Sequence, residues 1–157
     1  MIHITLPDGN VKEFESNSTP MDVAKSISEG FARNVISANF NGTTIETTTP
    51  LTTDGSLILY TFNDDDGKKA FWHSSAHVLA ETILSFHPNA KLTIGPAIDN
   101  GFYYDLDLGD ETLSEKDFPA LEKKFLEIAR GKHEFSMRSV SKADALSLYK
   151  EENNEYK

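Results

Sequence analysis

The sequence contains no cysteine, which removes disulfides, a thiolate nucleophile and sulfur-ligated structural zinc from the chemistry open to its 157 residues. Any metal held here would need imidazole and carboxylate ligands. Long apolar runs are also missing. Those present are too short and too often interrupted to cross a bilayer, and the first residues lack the basic, apolar and small-residue regions of a signal peptide. A soluble intracellular protein is expected. Basic side chains are scarce: 15 Lys and Arg stand against 25 Asp and Glu, a formal charge of −10 that repels a polyphosphate at long range. Neither part compensates, since residues 1–62 carry three basic and seven acidic side chains and residues 63–157 twelve and eighteen. Binding to RNA would need a local patch or a partner domain that supplies most of the phosphate contacts.

Against these absences stands one long segment of helical period, KAFWHSSAHVLAETILSFHP at Lys69–Pro88. At about 100° per residue, Trp72, Ala76, Leu79, Ile83 and Phe86 form a stripe that should lie against a core. His73, His77, Ala80 and Leu84 fall at its margin, so the two imidazoles stack one turn apart. Pro88 cannot extend the helix.

The segments before it read as a small α+β domain. Ile2, Ile4 and Leu6 alternate with polar residues as a strand, Pro7-Asp8-Gly9-Asn10 is a turn, and Val11–Glu15 returns. Val11 and Phe14 are out of phase, so a twist or bulge is expected there. Thr19-Pro20-Met21-Asp22 combines a hydroxyl N-cap, proline at the first helical position and a carboxylate at N3. The helix it starts should bury Val23, Ala24, Ile27 and Phe31 and end near Gly30. Val35–Phe40 and Thr43–Glu46 flank the hairpin turn Asn41-Gly42, and Ser56–Phe62 is a further strand. Asn63–Gly67, acidic and glycine-ended, reads as a boundary.

After the long helix, Lys91–Ile98 and Gly101–Leu108 are strands joined at Asp99-Asn100-Gly101. Tyr103, Asp105 and Asp107 share one face of the second, opposite Phe102, Tyr104, Leu106 and Leu108. A helix from Ser114 to Arg130 should bury Leu121, Phe125 and Ile128 and end at Gly131. Phe135–Val140 is a short strand candidate, and Ser141–Glu151 a last helix capped by Ser141 with Asp144 at N3. The final ENNEYK has no packing pattern.

Histidines at i and i+4 suit a shared polar ligand, a metal, or no ligand at all, and the spacing does not choose among these. The zincin pattern needs Glu after the first His, where Ser74 stands, so peptidase-type zinc chemistry is disfavoured. His87, His133, Asp99, Asp105 and Asp107 could add ligands, but no spacing selects them.

With HSSAHVLAETI in place, the sequence resembles the N-terminal region of bacterial threonyl-tRNA synthetases. ITLPDG and the residues up to Phe62 resemble the TGS domain, a ubiquitin-like β-grasp. Trp72–Glu81 resembles the start of the editing domain, and IGPAIDNGFYYDLDL at Ile94–Leu108 its signature hairpin. Ala97, Asp99 and Leu106 replace residues that are more often Pro, Glu and Phe, and Glu155 replaces the proline of a Pro-Tyr-Lys ending. The resemblance covers essentially the whole chain. It implies an α+β protein with a TGS β-grasp over residues 1–62, followed over residues 63–157 by the N-terminal part of the threonyl/alanyl-tRNA synthetase editing domain.

It further implies hydrolysis of Ser-tRNA(Thr) at the aminoacyl ester, with His73, His77 and Lys157 as the catalytic positions carried over and Tyr104 as a substrate-binding residue lining the cleft. The family completes that site with a Cys-x-x-x-His element, which does not occur in this sequence. ATP, Mg and a catalytic-core zinc are expected in the parent enzyme and no cofactor or metal in this region. The implied partners are tRNA(Thr) and the remaining synthetase domains, with a homodimer formed through those domains in the cytoplasm and no membrane. A chain of these residues alone is expected to be inactive. The rival readings are a non-enzymatic adaptor for RNA or protein and a histidine-metal hydrolase.

Overall fold

The computed structural model describes residues 1–131, 133 and 139–151. The chain divides into two compact units, Met1–Phe71 and Trp72–Lys157, and the division falls inside one helix.

In the first unit, β1 (Ile2–Thr5) and β2 (Val11–Phe14) form a hairpin in regular register from Ile2–Phe14 to Thr5–Val11. The bulge expected for β2 is therefore absent. Val11 faces solvent at 58% exposure, and only Phe14 packs on the core. The turn is held by Asp8, whose carboxylate accepts from the Asn10 backbone and side chain, and Gly9 takes φ +83°.

Helix α1 (Pro20–Ile27) starts on the capping box read from the sequence. The Asp22 N–H donates to Thr19 Oγ1 at 3.2 Å, and the Thr19 N–H donates to Asp22 at 2.9 Å. Its end differs from expectation. Ser28 adopts an extended backbone (φ −167°, ψ 149°) and its hydroxyl accepts from Phe31 N–H, so it closes α1 and caps a separate four-residue α2 (Glu29–Ala32). A serine that bonds its neighbouring backbone competes with the helical pattern, and the break leaves Ile27 exposed.

β3 (Val35–Phe40) and β4 (Thr43–Ile45) are joined by Asn41 and Gly42, both at positive φ (51° and 86°), as a two-residue hairpin of this hand requires. β5 (Gly55–Thr61) runs parallel to β1 and antiparallel to β3, giving the order β2-β1-β5-β3-β4. A mixed sheet with its first and last strands paired in parallel and a helix crossing over between its hairpins is the β-grasp arrangement. Its core comprises Ile2, Ile4, Leu6, Val23, Ala38, Leu51 and Leu57. Leu51 is unanticipated. It comes from a loop, pinned by Leu51 N–H to Ser18 O and Asn17 N–H to Leu51 O, and only 1% of it is exposed.

Helix α3 (Asp65–Phe86) begins four residues earlier than its hydrophobic period indicated. Asp64 accepts from Thr61 N–H and Oγ1 and its carbonyl takes Lys68 N–H, so the acidic run forms the start of the helix. Carboxylates there face the positive end of the helix dipole.

In the second unit the buried positions of α3 are Ala76, Ala80, Thr82 and Ile83. Phe86, expected inside, is nearly half exposed. Thr82 is polar yet fully buried because its hydroxyl bonds back to Val78 O at 2.8 Å.

The region from Lys91 to Leu108 is a hairpin whose pairing is confined to β6 (Lys91–Leu92) with β9 (Leu106–Asp107) and β7 (Ala97–Ile98) with β8 (Gly101–Phe102). Leu92 faces Leu106 but Ala97 faces Phe102, so the first arm holds one extra residue. Asp105 locates it: its carbonyl accepts from Thr93 N–H while its own N–H donates to Ile94 O. This β-bulge shifts the register between the two short ladders.

α4 (Phe118–Arg130) buries Ile128 and half-buries Leu121 and Phe125. It starts later than expected because Ser114 forms a turn on Asp117 instead of capping. Gly131 follows its end. α5 (Lys142–Glu151) is capped by Ser141, which accepts from Asp144 N–H at 3.1 Å. Most of the Phe135–Val140 strand candidate lies outside the described residues.

Candidate functional site

His73 and His77 are both exposed on α3, and their Nε2 atoms lie 3.1 Å apart. The rings meet edge to face at 90° with centroids 4.7 Å apart. One turn of helix separates the residues, so their side chains rise from the same face and need little rearrangement to meet. A nitrogen–nitrogen hydrogen bond requires one N–H and one lone pair, which fixes opposite tautomers in a neutral pair.

Trp72, directly before His73, packs on Phe102 of β8 with ring centroids 6.4 Å apart. The hairpin thus approaches α3 beside the start of the histidine pair. Tyr104 lies two residues on, half-buried, and its ring covers Gly95 on the opposite arm. Burial alone holds its phenol above the ordinary value of 10.0. Lys157 lies outside the described residues.

His87, just past the end of α3, is not part of this pair. Its Nδ1 joins Glu111 on the loop before α4. Asp117, on the same loop, is held below the ordinary carboxylate value by the Ser114 backbone and hydroxyl. Among the described residues no three His, Asp or Glu side chains converge as a metal-binding group, and no helix is long and apolar enough to cross a membrane.

The protein-family model for the TGS domain matches residues 2–61, which are the β-grasp just described. Over all 157 residues the chain is 66% identical to a threonine–tRNA ligase of Flavobacterium psychrophilum, 65% to one of Flavobacterium johnsoniae and 47% to one of Cytophaga hutchinsonii. The chain is homologous to the N-terminal region of threonine–tRNA ligases. It spans 24% of the length of each of these relatives. The TGS match covers the sheet of the first unit and ends before α3, the helix that carries both histidines. Sequence reading singled out the histidine pair and Tyr104 and did not single out Gly95, whose signal was only a glycine in a strand-like run.

Proposed function

We propose that this chain is the part of a threonine–tRNA ligase that supplies half of a hydrolytic editing site for Ser-tRNA(Thr). The observation that carries the reading is the mutual hydrogen bond of His73 and His77 on an exposed helical face, in a chain whose relatives are named threonine–tRNA ligases.

Ester hydrolysis needs a water near the carbonyl carbon and a base to receive its proton, and neutral imidazole suits both tasks near pH 7. Turning the two rings apart breaks their mutual bond and lets a water take its place, donating to the lone pair of one Nε2 and accepting N–H from the other. As its oxygen attacks the seryl carbonyl carbon, its proton passes to the acceptor ring. The tetrahedral intermediate then expels the ribose oxygen, which takes that proton back, leaving free serine and an uncharged tRNA end. Tyr104 lines the cleft, and Lys157 stabilises the oxyanion or a phosphate.

Threonine activation with ATP and Mg, and the associated zinc, belong to the length of the relatives that this chain does not span. Among the described residues, no cluster of three metal-binding side chains fits such a zinc. The same reading makes tRNA(Thr) the partner of the whole enzyme, places it in the cytoplasm, and assigns dimerisation to segments outside this chain. Residues 1–157 alone should not edit, because a partly built site loses the positioning on which catalysis depends.

The test is Ser-tRNA(Thr) deacylation by the full-length enzyme, its His73→Ala and His77→Ala variants, and the 157-residue chain. Each variant should lose roughly a hundredfold or more in rate while retaining threonine activation, and the chain alone should show none. Full editing by both variants would discard this reading in favour of an adaptor role.

A further inference from the structure

Gly95 stands directly opposite Tyr104 when the Ala97–Phe102 pairing is continued past the bulge at Thr93–Ile94. A Cβ placed on Gly95 would lie 2.6 Å from Tyr104 Cε2 and 3.0 Å from Cγ, so any side chain there would force the ring to shift. Its backbone does not require glycine: Gly9, Gly42, Gly101 and Gly109 are the glycines at positive φ, and Gly95 is not among them. The space taken by the ring is therefore the constraint. Gly101 and Gly109 show the contrast within this unit, since positive φ makes glycine suitable there and a Cβ would meet nothing within 4 Å.

The ring is held from its other side in sequence as well. Asp105, next to Tyr104, is fixed by Thr93 N–H at 3.1 Å and Thr93 Oγ1 at 2.6 Å to its carbonyl, and by its own N–H to Ile94 O at 3.0 Å. Three hydrogen bonds thus set the backbone beside Tyr104, and a bare backbone receives its ring. Burial alone raises the phenol's pKa, which agrees with a ring held by packing. Packing of the ring is what aims it.

We infer that Gly95 is a positioning residue for ester cleavage, acting as the seat that fixes the direction of the Tyr104 phenol. This rests on the editing reading of the site. Any side chain at position 95 lifts the ring off the opposite arm and swings its hydroxyl away, with the fold of the hairpin otherwise kept by the Thr93–Asp105 clamp.

The test pairs a spectroscopic measurement with kinetics. In the 157-residue chain carrying 13C-ζ-tyrosine, the Tyr104 resonance is identified by its loss in Tyr104→Phe and its phenol is titrated with and without Gly95→Ala. In the full-length enzyme, deacylation is measured for Gly95→Ala, Tyr104→Leu and the double variant, with threonine activation as the folding control. The expected results are a Tyr104 titration moved back toward the ordinary range and deacylation lowered by roughly ten- to a hundredfold in Gly95→Ala. The double variant should be no slower than Tyr104→Leu. An unmoved Tyr104 titration, or a Gly95→Ala effect that persists in the Tyr104→Leu background, overturns the seat. If Tyr104 moves yet Tyr104→Leu deacylates at the parental rate, the seat is real but serves no editing step, and the positioning claim falls with the assigned role of Tyr104.

Discussion

Leu51 shows how far a single side chain's importance can depart from its place in a loop. It sits among strand residues at 1% exposure, and truncating it leaves a cavity that the pinned Asn17–Ser18 backbone is poorly placed to fill. Leu51→Ala should cost about 2–5 kcal/mol, whereas Ile58→Ala, on a strand but 41% exposed, should cost well under half of that. Urea unfolding of both variants checks the inversion. Two helical glycines separate in the same way. A Cβ on Gly67 would lie 2.7 Å from the Thr61 carbonyl carbon, so Gly67→Ala should destabilise by about 1–3 kcal/mol. Gly30, with nothing nearer than Ser28 Oγ at 4.0 Å, should gain up to about 1 kcal/mol on the same change. Thermal melts showing Gly67→Ala as stable as Gly30→Ala would contradict that close approach.

At the level of elements, most features specified within a few residues were legible and those set across the fold were not, while Ser114, which turns on Asp117 instead of capping, is a local exception. The Thr19 and Ser141 caps and the Asn41-Gly42 turn were readable because their causes lie within three residues. Ser28 was harder: its hydroxyl could serve a continuous helix or a second cap, and the second won. The phase of Val11 is set by the partner strand β1 and the burial of Leu51 by a loop crossing, neither of which period analysis detects. The candidate site divides likewise. His73 and His77 are paired by helical geometry alone, but the role of Gly95 needs the bulge that brings it opposite Tyr104.

The α1 cap makes the pH dependence of an element testable. Asp22 is held below its ordinary value of 3.8, first by the Thr19 backbone N–H and then by the Thr19 hydroxyl. A carboxyl depressed on folding contributes stability that is complete above its unfolded value and disappears as pH falls through its folded one. Asp22→Asn should therefore destabilise at pH 7, and its deficit against the parent should shrink below about pH 4. Thr19→Ala should cost about 1 kcal/mol at neutral pH. Thermal unfolding across that range reads both, and a deficit for Asp22→Asn that grows on acidification would reverse the assigned sign.

For the whole molecule, charge governs its meeting with RNA. A chain of −10 gains nothing from low salt when it approaches a polyanion, because weak screening extends repulsion to about 30 Å at 0.01 M. Its association with tRNA, followed by fluorescence anisotropy, should not weaken between about 0.01 and 0.15 M salt, in contrast to the steep loss shown by basic RNA binders. A strongly negative salt slope would reveal a basic contact surface that the overall composition conceals.

The parallel pairing of β1 with β5 also dictates when the first unit can form during synthesis. β1 precedes the other strands of the unit, yet its Ile4 waits for Gly55, so the centre of the sheet is closed by the last strand of the unit to leave the ribosome. Until then β1 and β2 form at most an isolated hairpin, marginal in water, and Ile2, Ile4 and Leu6 remain open to chaperones. A nascent chain stalled with β4 emerged should be digested readily by protease, and one stalled after β5 has emerged should resist. The unit is thus completed by its late strand in one step rather than accumulated strand by strand.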